Sequence, residues 1–193
     1  TRREGLLWSI NDSGSDPEIF ALSDSGADLG KWSVKGVELN DWEGMDSFLY
    51  DGRHYLLIGD TGDNLRLRKE VSFLVLEEPS LEEADSDIGV SWQTSFTFPD
   101  GPKDVEAVAV DLQGELAIFL NKRELPMTLY SVPLFPVNGK IVANKMAELV
   151  PVPRYRSGLE DLYGNAARYL GLPTGMDLFG ERLLVTTYRN AYL

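Results

Sequence analysis

Hydrophobic positions along this chain come in short runs separated by turn residues. Residues 6–10 (LLWSI), 55–58 (YLLI), 71–76 (VSFLVL), 115–120 (ELAIFL) and 182–187 (RLLVTT) are rich in apolar or β-branched side chains. Asp-Ser-Gly, Asp-Gly, Gln-Gly and Phe-Gly clusters lie around them, the punctuation expected between strands. Only residues 158–170 (GLEDLYGNAARYL) read as helical, over a short stretch. Many short strands with regular turn signals predict an all-β sandwich, barrel or propeller.

Internal repetition narrows the choice. Residues 41–64, 104–124 and 173–193 share one order: a polar start, an apolar stretch, a turn with glycine, a second apolar strand and a closing polar cluster. The turn glycines Gly52, Gly114 and Gly180 lie 62 and 66 residues apart, longer than a propeller blade of roughly 40–50 residues, so outer strands or loops must be extended. Residues 6–14 (LLWSINDSG) resemble the second strand of such a unit, 56–63 (LLIGDTGD). The outer strands expected are 18–22 and 31–34 for the first unit, 71–76 and 91–98 for the second, and 128–132 and 146–150 for the third. The acidic stretch 77–87 (EEPSLEEADSD) reads as a surface loop, and 151–174 as a longer connection. The expectation is a single all-β domain over residues 1–193. It is a β-propeller of four-stranded antiparallel blades present as an incomplete arc, two full blades flanked by two part-blades, with the ring completed by further chain or by another chain. An open array of four sheets or a sandwich is the competing architecture.

Composition removes several functions. Asp and Glu number 31 against 18 Lys and Arg, a formal net charge of −13, which repels a phosphate backbone and argues against nucleic-acid binding. The same surplus suits a cation, or simply solubility. No apolar run approaches the roughly 20 residues that span a bilayer, and no signal peptide is visible. With no cysteine there is no disulfide, thiolate site or cysteine nucleophile. The lone histidine, His54, removes multi-imidazole zinc sites. It sits beside Asp51-Gly52, where a solvated hairpin residue is expected rather than a member of a catalytic triad.

Strand polarity then gathers the remaining candidates. Two antiparallel strands joined by a tight turn bring the start of the first and the end of the second to one face. Asp41 and Glu43 thus share a face with Asp60, Asp63 and Asn64, and Asp104 and Glu106 share it with Asn121 and Lys122. Asn11 and Asp12 join from the first unit, and Thr174, Thr187 and Arg189 from the last. In a propeller the innermost strands line the channel, which puts Glu43 and Glu106 near its mouth. Carboxylates converging there raise one another's pKa unless a cation neutralises them. Oxygen-only ligands select a hard cation: Ca2+ first, because it takes 6–8 oxygens in flexible geometry, and Mg2+ second. Against ligation, Asp12, Asp63 and Asn64 suit Asx-turns that satisfy backbone groups. Lys122 is either a counter-ion or an anchor for a substrate anion. Thr174 and Asp177 depend on how the third turn is aligned, and Trp8, Trp42 and Tyr188 suit packing between units.

The motifs at 8–14 (WSINDSG), 40–44 (NDWEG), 59–64 (GDTGDN), 99–107 (PDGPKDVEA) and 186–192 (TTYRNAY) resemble a group of bacterial TolB-like six-bladed β-propellers. More remotely the chain is similar to calcium-dependent propeller hydrolases of the gluconolactonase/paraoxonase and propeller-phytase types. The resemblance implies an exported protein, periplasmic or secreted, with calcium in the channel on Glu43, Asp60, Glu106 and Asn121. The paraoxonase-type histidine dyad has no counterpart. Two functions follow as expectations. One is a calcium-dependent hydrolase of an ester, lactone or phosphoester, with Glu43 or Glu106 as the catalytic base. The other is a non-catalytic scaffold binding a protein or glycan.

Overall fold

A computed structural model describes residues 4–124, 126–149, 171–180, 182–188 and 190–193. The helical reading at 158–170, most of the 151–174 connection and Arg189 lie outside the described residues. Within them the apolar runs become strands, and four sheets follow one another along the chain.

The first sheet holds β1 (Leu6–Ile10), β2 (Glu18–Ser23) and β3 (Asp28–Lys35). The second holds β4 (Trp42–Tyr50), β5 (Arg53–Asp60), β6 (Val71–Glu77) and, beyond a further strand, β8 (Trp92–Thr97). That intervening strand, β7 (Ser86–Gly89), leaves the second sheet and pairs in parallel with β3, Trp32 opposite Ser86 and Val34 opposite Ile88. The third sheet is β9 (Val105–Asp111), β10 (Leu116–Asn121), β11 (Thr128–Pro133) and β13 (Asn144–Glu148). Its own lent strand, β12 (Ile141–Val142), pairs in parallel with β8. The fourth is β14 (Pro173–Phe179), β15 (Arg182–Thr187) and β16 (Ala191–Tyr192).

The lent strands correct one expectation. The acidic stretch read as a plain surface loop holds a short 3-10 turn at Leu81–Glu83 and then enters the first sheet at Ser86. Strand bounds also shift slightly: 91–98 becomes Trp92–Thr97, and 146–150 becomes Asn144–Glu148.

The sheets pack face to face in chain order. Ile19, Trp32 and Val34 meet Trp42, Leu56, Ile58 and Leu74 between the first and second. Phe48, Leu57, Phe73 and Phe96 meet Val108, Phe119 and Tyr130 between the second and third. Ala109, Ile118 and Leu120 meet Met176 and Val185 between the third and fourth. Leu56, Leu57 and Ile58 are all fully buried because alternate side chains of β5 enter different cores, which is why that run reads as continuously apolar rather than alternating. Each such side chain contributes roughly 1.5–3 kcal/mol of burial.

The first strands of the last three sheets, β4, β9 and β14, lie beside one another. The β4–β5 hairpin closes on Asp51 and Gly52, both at positive φ (48° and 73°), the two-residue turn whose twist matches its strands. At Gly44, β4 packs tightly against β9. A Cβ there would lie 2.7 Å from Val108 Cγ1 and 3.2 Å from the Glu106 carbonyl oxygen. Gly44→Leu is therefore expected to cost at least the 1–3 kcal/mol typical of overpacking, read as a lower urea midpoint, with Val108→Ala restoring part of it. No recovery in the double variant would mean the two strands do not meet at this point. Val110 N–H donates to Asp46 Oδ2 at 2.7 Å, and Thr61 Oγ1 donates to the Val105 carbonyl at 2.9 Å. The outer edge of β9 is thus tied to the second sheet at both ends.

Candidate functional site

One irregularity recurs at the start of the first strand in each of the last three sheets. In the second sheet Trp42 pairs with Asp60 and Gly44 with Gly59, leaving Glu43 as an extra residue. In the third, Val105 pairs with Asn121 and Ala107 with Leu120, leaving Glu106. In the fourth, Pro173 pairs with Thr187 and Gly175 with Thr186, leaving Thr174. A β-bulge takes one residue out of the ladder and re-aims its side chain. Glu43, Glu106 and Thr174 are thus equivalent, each followed by a small residue, Gly44, Ala107 and Gly175. The sequence pattern Asp-x-Glu located the first two; the bulge explains why Thr174 belongs with them.

The re-aimed glutamates meet their neighbours in two groups that share Glu43. Asp12, Asp41 and Glu43 form one, and Glu43, Asp104 and Glu106 the other; within each, one carboxylate oxygen per residue lies within 4.8 Å of the others. Gly62 makes this approach possible. A Cβ at that position would stand 2.3 Å from Asp41 Oδ2 and 2.5 Å from Glu43 Oε1, and the Gly62 N–H donates to the Asp41 carbonyl at 3.2 Å.

The two groups differ in charge compensation. Lys122, itself 5% exposed, pairs its Nζ with Glu106 Oε1, donates to Tyr188 Oη at 3.1 Å and lies 5.3 Å from the Tyr188 ring centre. Asp104 accepts from Arg123 Nε at 2.5 Å and from the Asp63 N–H at 3.0 Å. Asp12, Asp41 and Glu43 have no ion pair among the described residues, and Asp41 Oδ1 is buried and accepts no hydrogen bond. The consequence appears in their acidity. Burial, then the Asp41 and Asp12 carboxylates, push Glu43 up to about 8, with Lys122 opposing and Asp104 adding. Asp41 is raised by burial first and by its hydrogen bond with Asp12 next; Ser13 and Arg68 work against the rise.

The remaining sequence candidates tie loops. Asp60, 2% exposed, accepts from the Asp41 N–H at 3.1 Å and from Asn40 Nδ2 at 3.2 Å and pairs with Arg68 at 2.9 Å. Asn121, at the equivalent register, accepts from the Thr128 N–H at 2.5 Å and closes the turn after β10. Thr187 does the same with Asn190, accepting from its N–H at 3.0 Å. Asp60 belongs to neither carboxylate group. Asp63 ties its loop to backbone groups further along the chain than the expected Asx-turn, accepting from the Leu67 and Arg68 N–H groups at 2.9 and 2.7 Å. Asn64 accepts from Arg123, and Asn11 is exposed beside the site.

Two acids, Asp46 half-buried and Glu78 buried, were not singled out by the sequence. Asp46 is pushed up to about 6 by burial, against the hydrogen bonds from Val110 and Ser47. Glu78, 1% exposed, accepts from Trp8 Nε1 at 3.0 Å and lies 3.8 Å from His54 Nδ1. His54 is accordingly half-buried on β5 rather than a solvated turn residue. Nothing in the neighbouring sequence marks either acid, since both sit in otherwise ordinary strand or strand-end positions. No helix among the described residues is long and apolar enough to cross a membrane. No family model matches this chain, and neither the curated proteins nor the solved structures include a significant match to it.

Proposed function

We propose that this protein is a β-propeller-type protein that binds a calcium ion through Asp12, Asp41 and Glu43. The observation that carries the proposal is the uncompensated triad: three carboxylates within 4.8 Å of one another, without an ion-pair partner among the described residues, one of them with a buried oxygen that accepts no hydrogen bond. In the neighbouring group Lys122 and Arg123 already supply positive charge. An oxygen-only set suits Ca2+, with Mg2+ second because it demands near-octahedral geometry and gives up water reluctantly. The propeller arrangement is supported by the chain-order packing of the sheets, the repeated inner bulge and the neighbouring first strands. It would place the triad at the mouth of a central channel.

The activity this reading favours is hydrolysis of an ester, lactone or phosphoester. There a bound cation polarises the substrate oxygen and lowers the pKa of a water. Glu106 is held by Lys122, which leaves it a positioning residue rather than the base.

Calorimetric titration tests the cation site. Glu43 is pushed up to about 8, so at pH 7 it carries a proton that a cation must displace. Binding of Ca2+ is expected to release about one proton at pH 7. Its affinity is expected to rise by about tenfold per pH unit below pH ~8 and level off above. Absence of both binding heat and thermal stabilisation at millimolar Ca2+ would end the reading. Turnover of ester, lactone and phosphoester substrates, lost on chelation, tests the hydrolase separately.

A further inference from the structure

The inner hairpins carry a second cluster at the end away from the carboxylates. β4 and β9 run from Glu43 and Glu106 to turns at Asp51-Gly52 and Gly114-Glu115, and the two strands lie side by side. Tyr50 stands seven residues past Glu43, roughly 20 Å along a strand that rises ~3.3 Å per residue. Here aromatic rings form a continuous chain from solvent to the core. Tyr50, 43% exposed, meets Phe135 at 4.5 Å between ring centres. Phe135 meets Trp92 at 5.7 Å, and Trp92 meets Tyr55 at 5.3 Å. Tyr55 stacks on the buried Phe48. The exposed Pro136 and Val137 extend the apolar surface.

The rings are held from behind. Trp92 Nε1 donates to the Leu134 carbonyl at 2.9 Å, and the Leu134 N–H donates to the Glu115 carbonyl at 2.8 Å. The segment that carries Phe135 is thereby pinned to both sheets, so little freedom is lost when a ligand settles on it. Two carboxylates flank the rings. Asp51 follows Tyr50 in its turn, and Glu115 is the residue whose carbonyl anchors Leu134. Both are exposed, and neither is in an ion pair among the described residues. Arg53, on the same hairpin as Asp51, is taken by Glu77 at 3.1 Å. Lys140 is carried off by β12, whose Ile141 pairs with Phe96, four residues along β8 from Trp92.

We infer that this end of the second and third sheets is a docking site for a basic polypeptide segment, an arginine side chain lying on Tyr50 and Phe135 with Asp51 and Glu115 as its counter-charges. Aromatic faces attract a guanidinium or ammonium group, and tyrosine is among the residues that dominate interfaces. A chain of net charge −13 steers a cationic partner towards itself and repels a second copy of itself. The ring angles favour a side chain over a sugar. Tyr50 and Phe135 are tilted by 43°, and Phe135 and Trp92 by 39°. They present a wedge, whereas a pyranose stacks on an open plane.

A capped octapeptide of alternating arginine and leucine is the probe, titrated into the whole chain and followed by amide chemical shifts, which locate it independently of the cation reading. One saturable site is expected, with the largest shifts at residues 50–53, 114–116 and 134–137. Tyr50→Ser should weaken binding about tenfold. Asp51→Asn and Glu115→Gln should each weaken it about threefold to fivefold and reduce its sensitivity to salt. The same peptide with glutamate for arginine should not bind. If Tyr50→Ser disturbs the circular dichroism, Asp51→Asn, which removes only charge, carries the test. Shifts centred on residues 41–43 and 104–106, where the other carboxylates draw any cationic peptide, overturn the inference, and so does parental affinity in Tyr50→Ser and Asp51→Asn. A neutral oligosaccharide such as cellohexaose that shifts 50–53 and 134–137 where the peptide does not also overturns it, and assigns the surface to a glycan.

Discussion

Glu43→Gln is expected to reverse its effect on stability according to whether calcium is present. Without the ion, the parent carboxyl holds its proton up to about pH 8, far above its ordinary value of 4.5. The folded state therefore binds that proton more tightly than the unfolded chain does. The stabilisation is complete below pH 4.5 and disappears as pH rises through 8. Glutamine keeps the size and places no charge between Asp41 and Asp104. In chelator at pH 9 the variant should melt above the parent, and at pH 4 the two should coincide. With calcium at about a hundred times its Kd, the parent gains about 2.7 kcal/mol, or roughly 5–10 °C for a chain of this size, and the variant gains little. Differential scanning calorimetry at pH 4 and 9, with calcium or with chelator, reads all four states. A variant that tracks the parent in every one of them would remove Glu43 from the site.

That crossover depends on geometry only partly legible in the sequence. The strands were legible because alternation and turn residues are local signals, and the pairing of first-strand starts with second-strand ends followed from hairpin polarity. Glu43 and Glu106 stood out because a glutamate has little use in a turn and their neighbours were apolar. Asp41 and Asp12 were on the right face, but nothing local ranked them above Asp60 and Asn121. All four are polar residues at strand ends. Their roles are decided by where a loop returns: the Thr128 N–H comes back to Asn121, and Arg68 comes back to Asp60. The lent strands were hidden for a related reason. β7 and β12 have four and two residues, too few for a period, and their partners β3 and β8 belong to another sheet.

The bulge connects these observations. A regular first strand would project Glu43 and Glu106 to the face opposite Trp42 and Val105, into the apolar layers shared with the following sheet. One inserted residue per strand instead releases them from the ladder, and Gly62 leaves the room into which Glu43 turns. The site is therefore a property of the repeat, whereas its charge balance belongs to residues that differ between repeats, Gly62 in one and Lys122 in the next.

Lys122→Met is expected to be among the most destabilising single substitutions in the chain, and calcium is expected to repair it. Lys122 and Glu106 are 5% and 7% exposed and paired. Removing one member of a buried pair leaves the other desolvated and uncompensated, at a cost of about 3–5 kcal/mol, or roughly 10 °C in melting temperature. Lost packing contributes little, since methionine replaces most of the lysine stem. Glu106→Gln in the same chain should recover most of the loss, because the residual partner is then neutral. Calcium separates this from a generic packing defect. With the ammonium gone, Glu43, Asp104 and Glu106 still hold oxygens within 4.8 Å of one another, and a divalent ion can take the place of the lost charge. Calcium should therefore raise the melting temperature of Lys122→Met more than that of the parent. In the double variant, which lacks the Glu106 carboxylate, that additional gain should vanish. A loss below about 1 kcal/mol, the range of an exposed pair, would mean that solvent reaches Glu106 and that the two carboxylate groups are not held apart by a buried cation.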